Sequence, residues 1–100
     1  MGVESDPSEA ARWYRRAAEQ GFVEGQYNLG RLYLMGLGVE QDLVESYVWF
    51  ALAIQGSPHE DYRKQTEAML ATVEGQLVPA ELARAEQRVA SFTPTREPTR

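Results

Sequence analysis

The sequence repeats itself at one fixed offset. Trp13 returns 36 residues later as Trp49. Gly2-Val3-Glu4 returns as Gly38-Val39-Glu40, Asp6 as Asp42, Glu9 as Glu45 and Ala17 as Ala53, while Tyr14 returns as Phe50. Residues 2–20 set against 38–56 give seven identities in nineteen positions without a gap. A constant offset of this size is left by a supersecondary unit stacked on itself. Such a unit cannot bury its apolar face alone, so neighbours share a core. The product is an extended surface rather than a deep pocket, which suits holding other proteins better than chemistry.

The repeating unit is helical. Asp6-Pro7-Ser8-Glu9 reads as a helix start, with Asp6 as N-cap, Pro7 in the first turn and Glu9 reaching back. Ala10, Trp13, Tyr14, Ala17 and Ala18 then share one face, and Gly21 ends the segment. A second helix is expected over 23–35, with Tyr27, Leu29, Leu32 and Tyr33 apolar and Gly30 in its interior. An interior glycine costs about 1 kcal/mol against alanine, so a close-packing helix is expected there. Gly36-Leu37-Gly38-Val39 is a turn. Asp42 and Glu45 repeat the cap for a third helix over 43–55, apolar on more than one face and closed by Gly56.

Ser57-Pro58-His59-Glu60 reads as another capping box, opening a fourth helix that runs to about Glu74 and stops at Gly75. Tyr62, Ala68, Met69 and Val73 are its expected inward residues. Pro79 opens a fifth helix to about Ser91, with Leu82, Ala85, Val89 and Phe92 on one side. Val78 at its N-cap offers no acceptor, so that start should fray. Residues 93–100 carry two prolines and no apolar side chain and read as a loose tail. No segment alternates like a strand, so the chain reads as all-α.

Composition removes several function classes. A net charge of −5 with both signs spread along the chain argues against nucleic acid or an anionic membrane surface. The absence of cysteine removes disulfides and thiolate metal sites. No apolar run approaches a membrane span. The first residues lack the basic and apolar regions of a leader, which makes the cytoplasm the expected compartment. If the sequence belongs to a longer chain, periplasm or export is the alternative.

Glu24-Gly25-Gln26-Tyr27-Asn28-Leu29-Gly30-Arg31-Leu32-Tyr33-Leu34-Met35-Gly36-Leu37-Gly38-Val39 resembles the first helix and turn of a Sel-one-like repeat, a relative of tetratricopeptide repeats. Trp13-Tyr14-Arg15-Arg16-Ala17-Ala18-Glu19-Gln20-Gly21 resembles its second helix, and Trp49-Phe50-Ala51-Leu52-Ala53 resembles it again. The resemblance implies a short right-handed αα superhelix. Residues 2–21 form the back half of one repeat and 22–56 a full repeat. In the stretch 57–92, Gln65 and Thr66 replace Leu29 and Gly30, so it is expected to be a diverged capping helix pair. The repeat-defining residues are Trp13, Tyr14, Ala17, Leu29, Gly30, Tyr33, Gly36, Gly38, Trp49, Phe50 and Ala53.

In such arrays the first helix of each repeat lines a concave, partner-binding surface. By the offset, Glu24, Tyr27, Arg31 and Leu34 are expected there, continued by Glu60, Arg63, Glu67 and Leu70, with Arg31 facing Glu67. A solvated helix face is the competing reading of the same residues. The implied function is a non-catalytic protein–protein interaction scaffold or adaptor binding a protein or peptide. The alternative is a purely structural C-terminal segment of a larger repeat protein. The first helix of the opening repeat is absent from this sequence, which would leave Trp13 and Tyr14 half uncovered. Either a longer array or homodimerisation through this end is expected to cover them.

Chemistry finds little support. His59 is the only histidine and lies beside Glu60 and Asp61 in a helix cap, where a surface role is the simpler reading. No nucleophile elbow surrounds any serine. Gly36-Leu37-Gly38 follows a helix and no lysine follows it, unlike a phosphate loop. No cofactor or metal is expected, and a hydrolase is the remote alternative. Trp13 and Trp49, recurring on an amphipathic face, read as core.

Overall fold

The computed structural model describes residues 6–95, which form five helices and no strand. They are α1 (Pro7–Glu19), α2 (Val23–Met35), α3 (Leu43–Gly56), α4 (Glu60–Glu74) and α5 (Pro79–Ser91). The all-α expectation holds. Gly2-Val3-Glu4 and the last five residues of the expected tail lie outside the described residues.

The starts of α1 and α3 follow from their caps. The Asp6 carboxylate accepts the backbone N–H groups of Ser8 and Glu9 at 3.1 and 3.3 Å. Asp42 accepts that of Glu45 at 3.1 Å. Each satisfies donors that the first helical turn leaves without a partner. Gly36 and Gly38 carry φ of +70° and +74°, a conformation that side-chain-bearing residues rarely adopt, and they reverse the chain between α2 and α3. The backbone turn at Gly38 lies directly on the Pro7 carbonyl, so it also seats the start of α1.

The start of α4 departs from expectation. Ser57 remains extended and caps the end of α3, and the helix begins only at Glu60. Pro58 disfavours helical backbone in the residue before it, which holds Ser57 out of the helix. Its Oγ instead accepts the His59 N–H at 3.3 Å, and His59 makes no side-chain cap. At α5, Val78 supplies no acceptor, but Glu81 reaches back to take the Val78 N–H at 3.0 Å. Half of the capping box is therefore present.

Helix α3 is the centre of the molecule. It packs on α2, α4 and α5, while α1 packs on α2. Its apolar residues point in several directions, as its sequence requires: Tyr47, Val48, Trp49, Phe50, Leu52 and Ala53 are all buried. Against α2, the Phe50 ring lies on Gly30 and Ser46 donates to the Gly30 carbonyl at 2.9 Å. Between α1 and α2, Gly25 meets Ala17, and buried Gln26 donates to the Ala18 carbonyl at 3.2 Å. Arg15 also donates to the Tyr33 hydroxyl.

In α4 the buried residues are Thr66 and Val73, with Tyr62 and Met69 half-buried. Ala68, expected to point inward, is exposed. Thr66 stands one offset after Gly30 and keeps a small side chain at the crossing. Its hydroxyl is satisfied by the Tyr62 carbonyl at 2.9 Å. Beyond α5 the chain turns back: Phe92 packs on Trp49, and the Thr95 N–H donates to the Glu19 carbonyl at 2.7 Å.

Candidate partner-binding face

The expected binding row does not behave as one surface. On α2, Glu24 and Arg31 are exposed, whereas Tyr27 and Leu34 are half-buried against the core. Tyr27 is wedged between two aromatic rings, 5.7 Å from Phe50 and 5.4 Å from Tyr62. The Arg31 guanidinium sits over the outer face of Tyr27 at 6.0 Å. On α4, Glu60 and Glu67 are exposed and Leu70 is half-buried on the core. Arg63 is turned inward and donates to the Ser57 carbonyl at 3.0 Å, tying α4 to the end of α3. No ion pair joins Arg31 to Glu67 among the described residues. The expected pairing is thus replaced by stacking of Arg31 on Tyr27.

What the helices do build is a cleft of about 400 Å³ between the first half of α2 and the start of α4. Val23, Glu24, Tyr27 and Asn28 form one wall, and Ser57, Pro58, His59 and Tyr62 the other. Two predicted residues, Glu24 and Tyr27, therefore line it. The opposite wall was missed, because Pro58-His59 reads locally as a helix start. The cleft exists only where α2 meets the start of α4, so no single segment announces it.

The Tyr62 hydroxyl is buried and has no hydrogen-bond partner among the described residues. Its pKa is raised, first by burial and then by the neighbouring Tyr27 and Glu24. The phenol is therefore held neutral, a donor without an acceptor. Glu24 is the exposed carboxylate of the cleft, Val23, Pro58 and the tyrosine rings give it apolar surface, and Asn28, Ser57 and His59 add polar groups.

A larger depression, about 630 Å³, lies between α3 and α5. Part of its polar lining is already paired within the fold. Trp49 donates from Nε1 to Glu45 at 3.2 Å, Arg88 pairs with the same carboxylate, and Phe92 meets the Trp49 ring edge-on at 5.8 Å. We read it as a packed helix seam. The repeat-defining residues divide in the same way: Leu29, Gly30, Tyr33, Trp49, Phe50 and Ala53 are buried, Tyr14 and Ala17 are half-buried, and Gly36 and Gly38 form the exposed turn. Trp13, read as core, is 53% exposed; among the described residues no helix covers it as α5 covers Trp49 on α3.

The Sel1 repeat model matches residues 1–22 and 23–57, more than half of the chain. The chain belongs to the Sel1 repeat family. Sel1 repeats generally mediate protein–protein interaction and are generally non-catalytic. The chain is 35% identical over 82 residues to the alginate biosynthesis protein AlgK of Azotobacter vinelandii. It is 38% identical over 56 residues to the chitin synthase regulator SKT5 of Malassezia restricta. These alignments cover 81% and 56% of this Sel1 chain but only 16% and 4% of the relatives, so it spans a small part of either. No solved structure matches it significantly. Among the described residues, no helix is long and apolar enough to cross a membrane.

Proposed function

We propose that this Sel1 chain is a non-catalytic scaffold that holds a peptide segment of a partner protein along α2 and α4, seated in the cleft between them. The observation that carries the reading is the cleft itself. It joins an open carboxylate and an apolar floor where α2 meets the start of α4. Glu24, Arg31 and Glu67 leave charge exposed along the same two helices, available to fix the orientation of a bound segment. Membership of a family that generally binds proteins supports it.

Peptide display on the intact chain tests the proposal. Peptides enriched on the wild type should lose about tenfold or more in affinity with Glu24→Arg or Arg31→Glu, as interface anchors do. Gln87→Ala, in the α3–α5 depression, should leave them unchanged. If the α2 variants bind as the wild type does, this face is not the binding surface. The purely structural role would then be the better account.

A further inference from the structure

Two depressions share one wall. The cleft between α2 and α4 is bordered by Val23, Glu24 and Asn28. The same three residues border a second depression of about 520 Å³ between α1 and the start of α2. Gly25 lies directly on Ala17 there, and two residues this small leave the space that Tyr14 and Phe22 border.

Each depression has an exposed apolar group at the same place in its repeat. Phe22 borders the α1–α2 depression and is 59% exposed. Its backbone is fixed on both sides: its N–H donates to the Ala17 carbonyl and its carbonyl accepts the Gln26 N–H, each at 3.0 Å. An ordered backbone thus presents the ring to solvent. Pro58 stands one offset later, is also exposed, and borders the α2–α4 cleft. Successive repeats therefore offer an apolar group just ahead of a helix start, one to each depression.

Glu24 stands in the shared wall. Among the described residues it is the only carboxylate bordering either depression, no lysine or arginine borders them, and it makes no ion pair. Arg63 is tied to the Ser57 carbonyl and lines neither. A carboxylate in the first turn of α2 also complements the helix dipole, but that role asks nothing of Phe22.

Given a peptide on this face, as proposed above, we infer that it carries a basic side chain flanked by two apolar ones, with the cation on Glu24 and the apolar groups in the depressions beside Phe22 and Pro58. Side chains of an extended segment alternate, so positions two apart share a face. Outer positions four residues apart are separated by about 13 Å, which matches the roughly 10–12 Å width of the helix between the depressions. The pattern is apolar–x–basic–x–apolar.

Selection of a random peptide library on the intact 100-residue chain tests this. The wild-type pool should converge on that pattern. A pool selected in parallel on the Glu24→Lys chain should exchange the basic preference for an acidic one. A synthetic peptide from the wild-type pool should bind Glu24→Lys about tenfold more weakly, and its version with glutamate at the basic position should show the reverse order. Phe22→Ala, at an exposed ring, should relax the pool at one apolar position and keep the basic one. Circular dichroism on both variants confirms that the helices are intact. Peptides that are lost with Arg31→Glu but share no basic position leave this face as the binding surface and overturn the inference. So does a pool that Glu24→Lys leaves unchanged. A library that yields no binder, or only binders insensitive to both α2 positions, removes the peptide-binding reading and the inference with it.

Discussion

Gly30 and Phe50 touch across the α2–α3 crossing so closely that a Cβ on Gly30 would lie 2.9 Å from two ring atoms. Phe50 is fully buried and cannot swing away, because Tyr27 stands against its other side. The glycine is therefore a packing residue. Gly30→Ala should gain roughly 1 kcal/mol in helix propensity and lose more than that to overpacking, a net loss of about 1–2 kcal/mol. Gly75→Ala is the control. Gly75 has ordinary helical backbone and its nearest neighbour would be 3.5 Å from the new Cβ, so that variant should be neutral or gain about 0.5 kcal/mol. Urea denaturation of the pair checks both signs.

The two tryptophans should part company on truncation. Trp49→Ala opens the α3–α5 seam and frees the Glu45 carboxylate from its indole partner. It should cost about 3–5 kcal/mol, a large share of the stability of so small a domain. Trp13→Ala removes a side chain that is 53% exposed and should cost under about 1 kcal/mol in dilute solution. Thermal melts of both at low micromolar concentration compare them without association.

Phe92 lies beyond the last helix, yet it covers Trp49. Phe92→Ala should cost about 2 kcal/mol, less than a fully buried phenylalanine because Phe92 is half-buried. It should also shift the Trp49 emission to longer wavelength by letting water onto the indole. Trp13→Phe in the same background leaves Trp49 as the only tryptophan, read by exciting beyond the tyrosine absorption.

Tyr62→Phe should stabilise the fold by about 1 kcal/mol, because the hydroxyl it removes is buried without a partner. It should also change the alkaline limb. The folded state raises the Tyr62 pKa above the ordinary value of 10.0, so the folded chain keeps its proton where the unfolded chain loses it. That contribution is whole below about pH 10 and is lost as pH rises through the folded pKa. Stability measured from pH 8 upward should thus fall less steeply in the variant. Tyr47, raised by burial and by Glu86 and Glu74, keeps its share of the alkaline loss in both chains.

Much of this molecule was legible without coordinates. The repeated Asp caps placed the starts of α1 and α3, because capping is a bond between a side chain and backbone two or three residues away. Pro79 and the loss of apolar residues after Phe92 set the limits of α5 for the same local reason. Gly30 announced a close crossing, since only packing justifies glycine within a helix. The motifs in 13–21, 24–39 and 49–53 carried the resemblance to the family, and helical patterning without strand-like alternation gave the all-α class. Errors arose where a local signal had two solutions. Ser57-Pro58 reads as a helix start, but Ser57 was already committed to the end of α3.

Tertiary structure alone decided what each face meets. Trp13 and Trp49 are the same residue in the same local pattern, and only the docking of α5 separates a surface indole from a buried one. The Arg31–Glu67 pairing was plausible by spacing, but side-chain direction across two helices placed the Arg31 guanidinium over the Tyr27 ring. The cleft between α2 and α4 and the buried Tyr62 hydroxyl depend on how those two helices dock beside α3. Periodicity fixes which side of a helix is apolar; the angle and depth at which neighbouring helices cross fix which groups that side finally touches.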